Sequence, residues 1–356
     1  MARVIVGMSG GVDSAVTALL LKEAGYEVIG VTLRTWESDD GEQSRCCEID
    51  DARDTARQLG IEYHAFNCLS DFHRHVVSPF VEAYLHGRTP NPCVNCNRFV
   101  KWERMMYYAT ILQADGIATG HYATVVKRDN GRFTVRQSPS ASKDQSYMLW
   151  QLTQEQLSRT LMPLGSFTKD EVRRIAREAG LNVAEKRDSQ EICFVPDGDY
   201  ADFIEANAAD SVSREGNFVD ERGNILGRHK GVIQYTVGQR KGLGIALGEP
   251  VFVCEIRTDS NEVVLGNAAS LLRKGMLCRN VNWMGIAGIP AGGILRARVK
   301  IRYHDGGAMA NITESDGDII RVTFEQPVRA PAPGQSAVFY DAEGCVLGGG
   351  EISASF

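Results

Sequence analysis

The chain has 356 residues, of which 43% are hydrophobic and 24% charged, a composition ordinary for a soluble globular protein of two or three domains. A formal net charge of −6 argues against a nucleic-acid partner unless basic residues are segregated on one face. No apolar run reaches the ~20 residues that span a bilayer. The N-terminus enters a strand at once and leaves no room for a signal or transit peptide, which points to a cytoplasmic location and no membrane partner.

The first stretch, "VIVGMSGGVDSAVTALLLKEAG", reads as strand, turn and helix. Val4 to Met8 is β-rich and apolar, as a buried parallel strand is, and Ser9-Gly10-Gly11 is turn material. Asp13 or Ser14 is expected to cap the helix, Val16, Leu19 and Leu20 share a face, and Gly25 suits the position past its end. Free backbone N–H groups and the helix dipole then make an anion site. The Walker pattern with its lysine is absent, and so is the dinucleotide fingerprint. A glycine turn without any ligand is the competing reading.

Further strands are expected over 27–36, 61–68 and 116–126, with helices over 46–60 and 168–180, the last with Thr168 as cap and Glu171 at the capping-box position. Such alternation implies a doubly wound α/β fold, a parallel sheet with ligand at the strands' C-terminal ends. Beyond about residue 205 short β-rich runs replace the helical periodicity. The expected domains are 1–205, 206–270 and 271–356.

Nine cysteines in a chain without an export signal make a disulfide framework improbable and leave some cysteines for chemistry. "TPNPCVNCNRFVKWERMMYYATIL" sets Cys93 and Cys96 in a Pro/Asn loop that feeds a helix. Cys96 is expected at the helix start beside Arg98 and Lys101, features that favour the thiolate. In "KRDSQEICFVP", Cys193 follows Lys186 and Arg187. Cys46-Cys47 is a poor second pair for zinc, and Cys68, Cys254, Cys278 and Cys345 read as buried packing. From 263 to 304 no Asp or Glu occurs, while Arg273, Lys274, Arg279, Arg296, Arg298, Lys300 and Arg302 all fall there. "LRARVKIRY" puts Arg296, Arg298, Lys300 and Arg302 on one strand face, either as a charge-protected edge or as a phosphate-contacting surface.

"SGGVDS" (Ser9 to Ser14) resembles the pyrophosphate-binding loop of the ATP-pyrophosphatase, or PP-loop, group. With "GRTPNPCVNCN", "ATGHYA", "KDQSYML", "DSQEICF", "YTVGQRKGLGI" and "PGQSAVFY", in order along nearly the whole chain, it resembles the tRNA-specific 2-thiouridylase family (MnmA type). That resemblance implies an ATP-pyrophosphatase domain, a small β domain and a C-terminal β-barrel that contacts tRNA. It also implies conversion of the wobble uridine of certain tRNAs to 2-thiouridine with ATP and Mg2+. The partners it implies are a tRNA with a wobble uridine and a persulfide-donating sulfur-relay protein or cysteine desulfurase.

Residue by residue, the resemblance places Gly7, Met8, Ser9, Gly10, Gly11, Val12, Asp13, Ser14, Leu33 and Gly120 at ATP. Asn91, Pro92 and Cys93 would meet the flipped base, with Cys193 the persulfide carrier and Cys96 the nucleophile. His121, Lys143, Asp144, Gln145, Arg302, Tyr303 and Gln335 would touch tRNA. The sequence departs once: the commoner family form has Asp where Cys93 stands, so Cys93, Cys96 and Cys193 are also candidate ligands of an iron–sulfur cluster. On motifs alone, an amidating PP-loop synthetase acting on a small metabolite and a cysteine-clustered metal- or RNA-binding module stay open.

Overall fold

The run Arg3–Gly7 is rich in β-branched residues and buried on both faces, with Val4 and Val6 packed to one side and Ile5 to the other. It is the central strand of the first unit. The computed structural model describes residues 1–37, 48–186, 192–195, 200–208, 211–212, 214–315 and 318–356; Cys46, Cys47 and Arg187 lie outside them. The first unit begins β1 (Arg3–Gly7), α1 (Val12–Glu23), β2 (Glu27–Arg34), α2 (Ile49–Leu59) and β3 (Glu62–Asn67). It continues through α3 (Leu69–Phe72), α4 (Ser78–Leu85), α5 (Pro92–Asn95) and α6 (Glu103–Ile111). Then follow β4 (Gly116–Ala118), β5 (Ala123–Lys127), β6 (Phe133–Gln137), α7 (Gln154–Ser158), β7 (Thr160–Leu161), α8 (Lys169–Glu178) and α9 (Tyr200–Ala208).

Five of these strands form a parallel sheet in the order β3-β2-β1-β4-β7. The order reverses between β1 and β4, and a ligand crevice opens outside the strand ends at such a point. α1, α2 and α8 cover one face, through Val16, Ala52, Ala56, Val172 and Ala176. The segments from α3 to α6 cover the other, through Phe72, Phe80 and Met105.

Several expectations were corrected by local physics. α1 takes Gly11 as its N-cap with no side-chain cap, because Ser14 Oγ turns back to donate to Gly11 O at 3.0 Å. β4 stops at Ala118, and the rest of the expected 116–126 strand belongs to a separate hairpin, β5 with β6. Helix begins at Pro92, before Cys96: Asn91 caps it by accepting from Cys93 N at 3.2 Å, and a π-helical stretch Cys96–Trp102 joins α5 to α6. The capping box of α8 forms as expected, with Thr168 and Glu171 bonding reciprocally.

The middle unit is a mixed sheet of β8 (Gly216–Val219), β9 (Ile225–His229), β10 (Phe252–Arg257) and β11 (Glu262–Gly266), in the order β10-β11-β8-β9. The expected 205/206 boundary falls inside α9. The last unit is a closed barrel in the order β12-β15-β14-β13-β16-β17. Its strands are β12 (Leu272–Trp283), β13 (Leu295–Lys300), β14 (Ala308–Glu314), β15 (Ile320–Arg329), β16 (Ser336–Tyr340) and β17 (Val346–Ser355). β13 pairs with both β14 and β16, so the basic run is no edge.

Candidate active site

A pocket of about 290 Å³ opens where β1 and β4 end. Gly7, Met8, Ser9, Gly11, Val12, Asp13 and Ser14 line it, with Leu33 from β2 and Gly120 after β4. Gly10 is not among the lining residues, but it sets the turn: its φ is +79°, and a Cβ there would stand 2.6 Å from Glu48 O. Gly120 allows close approach, since a Cβ would meet the Asp13 carbonyl carbon at 2.9 Å. The loop's donors and the N-terminus of α1 therefore face the pocket from one end, the geometry that receives phosphate. Val31, Leu33 and Met105 supply apolar wall.

Asp13 is fixed by contacts the sequence did not announce. Lys169 Nζ reaches both carboxylate oxygens at 2.8 Å, and Tyr122 donates its hydroxyl to Oδ1 at 2.7 Å. Lys169 lies 156 residues away at the first turn of α8, a separation no local pattern reveals. His121 and Gln145, expected at tRNA, line this pocket. His121 Nδ1 lies 2.8 Å from Thr119 Oγ1, and its ring lies 5.3 Å from that of Trp102. Burial, reinforced by the Lys101 ammonium, pushes its pKa down to about 3, so the imidazole is neutral. Gln145 Oε1 accepts from Tyr122 N at 3.0 Å.

The run from Pro92 to Ile111 joins this pocket to the cysteines. Its start carries Cys93, which is exposed, and Cys96, which is buried. Further along the same run, Lys101 and Met105 line the pocket. Cys193 is half-buried and packs against the same apolar cluster that contains Cys96. Its neighbour Phe194 is anchored by ring contacts with Trp36, Phe72, Phe80 and Phe203 at 5.3 to 6.1 Å. The fold thus brings 96 and 193 to one core. Cys68 and Cys254 are buried, which pushes their thiols up to about 11; Cys278 and Cys345 are buried and raised by the same cause. Among the described residues, no group of three or more His, Cys, Asp or Glu side chains is arranged to hold a metal ion.

The barrel side of the site is mostly internal. Asp144 is 4% exposed and accepts from Ser138 N, Ser146 N, Ser146 Oγ and Gln137 Nε2 at 2.9 to 3.2 Å. That burial leaves its carboxylate no open face for RNA. Lys300 is buried 4.0 Å from Asp144, and Arg298 donates to Gln137 while its guanidinium lies 5.6 Å from the Tyr340 ring centroid. Arg302 donates to the carbonyls of Arg329 and Ala330. The alternation of β13 is real, with Ala297, Val299 and Ile301 in the barrel core, but Arg298 and Lys300 face the first unit. Arg296, paired with Glu325 at 2.7 Å, is exposed. Lys143 is half-buried.

Burial, and after it the neighbouring Asp144 and Cys93, raise the Tyr303 hydroxyl above its ordinary pKa. Gln335 Nε2 donates to Thr89 O at 3.0 Å, two residues before the Asn91 cap.

A domain family described as the tRNA methyl transferase HUP domain matches residues 2–197. The tRNA methyl transferase PRC-barrel domain matches 201–267, and the aminomethyltransferase beta-barrel domain 273–352. The chain is 51% identical to the tRNA-specific 2-thiouridylase MnmA of Lachnoclostridium phytofermentans, over 99% of both chains. It is 49% identical to that of Acetivibrio thermocellus, over 98% of this chain and 99% of the relative. Against that of Clostridium perfringens the identity is 46%, over 99% of this chain and 98% of the relative.

Proposed function

The chain belongs to the tRNA-specific 2-thiouridylase family, ATP-using enzymes that put sulfur into tRNA, and on that premise we propose that it activates the wobble uridine by adenylation and thiolates it from a cysteine persulfide. The observation that carries this reading is the single helical run that starts with Cys93 and Cys96 and, further along, lines the nucleotide pocket with Lys101 and Met105. Activation and sulfur delivery must meet at one carbon, and one rigid element spans both sites.

The residues fit ATP. The loop from Gly7 to Ser14 and the α1 N-terminus would hold the phosphates, and Val31, Leu33 and Met105 the apolar base. Mg2+ would offset charge on the phosphates, and Asp13 and Glu48 are the carboxylates that face the pocket. The C2 carbonyl of uracil is a poor electrophile with a poor leaving oxygen. Attack of that oxygen on the α-phosphorus releases pyrophosphate and makes AMP the leaving group. The base must leave its stack to be reached, and Asn91, Pro92 and Cys93, with Tyr303 opposite, would receive it.

The terminal sulfur of a Cys193 persulfide then adds to C2 as AMP departs. Cys96 thiolate attacks the Cys193 sulfur, leaving 2-thiouridine and a Cys96–Cys193 disulfide that a thiol reductant resets. An iron–sulfur cluster would need Cys93 as third ligand, and among the described residues no group of three such side chains is arranged to hold a metal ion. A persulfide-donating sulfur-relay protein or cysteine desulfurase would load Cys193. His121, Gln145 and Leu33 belong with the nucleotide in this reading, and Lys143 and Arg302 with tRNA docking. An amidating synthetase would use the same phosphate loop, but relatives similar over the full length are 2-thiouridylases.

The test is direct. Purified protein given ATP, a persulfide donor and tRNA should release AMP and pyrophosphate and form 2-thiouridine at the wobble position. Release of ADP and phosphate, or adenylation of a small metabolite in place of tRNA, contradicts the proposal.

A further inference from the structure

A loop that must hold a polyphosphate has no lysine of its own, yet the fold brings one to it. Lys186 Nζ donates to Gly10 O at 3.1 Å across 176 residues of sequence, and Lys186 lines the same pocket as Gly7, Ser9, Gly11 and Ser14. Its ammonium therefore stands at the glycine turn, the end of the pocket toward which the α1 N-terminus points. Lys101, the other lysine that lines the pocket, lies near enough to His121 to depress its titration.

The partners of Lys186 also favour exchange. Besides Gly10 O, it pairs with Glu48 and Asp51 at the start of α2. Both carboxylates are substantially exposed, at 39% and 50% of their side-chain surface. Ion pairs with exposed carboxylates are screened and contribute little, whereas a polyphosphate brings several charges into a pocket at a helix N-terminus. Glu48 is tied to the turn by its own backbone, donating to Ser9 O at 3.2 Å, so the carboxylate can turn away while the loop stays in place.

We propose that Lys186 is the phosphate-binding lysine of this site: it leaves Glu48 and Asp51 for the β- and γ-phosphate oxygens of ATP and holds the pyrophosphate as it departs. The inference rests on the α-phosphate chemistry proposed above. It adds a residue that supplies, from the segment leading to Cys193, the cation that a Walker loop carries internally. Charge accumulates on the bridging oxygen and the leaving pyrophosphate during adenylation, and a fixed ammonium there stabilises the transition state.

Product inhibition separates this role from a structural one, because AMP lacks the two phosphates that Lys186 would hold. In Lys186→Met and Lys186→Gln, the inhibition constant of pyrophosphate and the KM for ATP should rise about tenfold or more. AMP affinity should stay within about twofold, and Lys186→Arg should recover most of the loss. Asp51→Asn, which removes one of the two carboxylates that compete for the ammonium, should tighten pyrophosphate. Equal weakening of AMP and pyrophosphate, or no change in either, overturns the assignment, as does weaker pyrophosphate binding in Asp51→Asn. Wild-type release of ADP and phosphate would sink the adenylation reading itself; normal products with unchanged pyrophosphate inhibition would sink only Lys186.

Discussion

Neither Cys96 nor Cys193 is among the residues that line the nucleotide pocket, so their chemistry is separable from it by substitution. Cys96→Ser and Cys193→Ser are each expected to abolish 2-thiouridine while pyrophosphate release persists, since a hydroxyl can neither carry nor cleave a persulfide. Thiolation surviving in either variant would refute the assigned roles. Cys93 is exposed at the helix start, and Cys93→Asp should retain activity. Stoichiometric iron and sulfide in anaerobically purified protein, lost with activity in that variant, would replace the persulfide route by a cluster, because carboxylate is a poor substitute for thiolate there. His121 yields a different test. Its folded pKa of about 3 lies below the ordinary 6.5 because the imidazole is buried. The unfolded chain therefore takes up a proton that the native state refuses. This contribution to stability is complete above about pH 6.5 and is lost progressively as pH falls toward 3. Urea midpoints measured at pH 7.5 and 5 should drop less in His121→Gln than in the wild type; an equal drop would show that His121 does not drive the acid sensitivity.

Elements whose signals are local were legible in the sequence. The Thr168–Glu171 capping box, the strand over Arg3–Gly7 and the glycine past α1 form close to where pattern places them, because each depends on neighbours a few residues away. The start of the cysteine helix was misplaced although its signal was present: Asn before Pro is an N-cap followed by a favoured first helical residue. The basic strand shows the opposite limit. Alternation correctly sorts Ala297, Val299 and Ile301 into the barrel core, but what the other face meets depends on Gln137 and Asp144, more than 150 residues away. Lys300→Met is accordingly expected to act on stability. It leaves the buried Asp144 carboxylate without its cation and should cost about 2 kcal/mol, less than a fully broken buried pair because four donors remain. Arg296→Ala, losing one exposed and screened pair, should move stability far less. Denaturant midpoints give the ranking. A salt slope for tRNA binding that falls by about one unit in Lys300→Met at unchanged stability would return that lysine to the RNA surface.

Across the whole molecule, the barrel and the first unit share hydrogen bonds that link distant parts of the chain. Trp150 Nε1 donates to Ser336 Oγ at 2.9 Å, Tyr147 to Ser336 O at 2.8 Å, and Asn282 Nδ2 to Trp150 O at 2.7 Å. All of these groups belong to pieces that sequence reading could only class as separate units. The consequence for function is sharpest at Thr89. Its N–H donates to Pro333 O at 2.8 Å and its carbonyl accepts from Gln335 Nε2, so the barrel turn grips both sides of one residue. Between them Gly334 has φ +91°, and a Cβ there would lie 2.9 Å from Thr89 N. The gripped segment runs directly into Asn91, Pro92 and Cys93. A barrel that fixes this segment fixes the entry of the cysteine helix, and with it the distance from thiol to activated base. Gln335→Met keeps the side chain's length and removes only its donor. It should lower kcat for thiolation roughly fivefold, the effect of losing one hydrogen bond of ~1 kcal/mol, with the tRNA KM unchanged. Pyrophosphate release should then outrun 2-thiouridine formation. A raised tRNA KM at full kcat would instead place the Gln335 amide on the RNA, as the family resemblance implies.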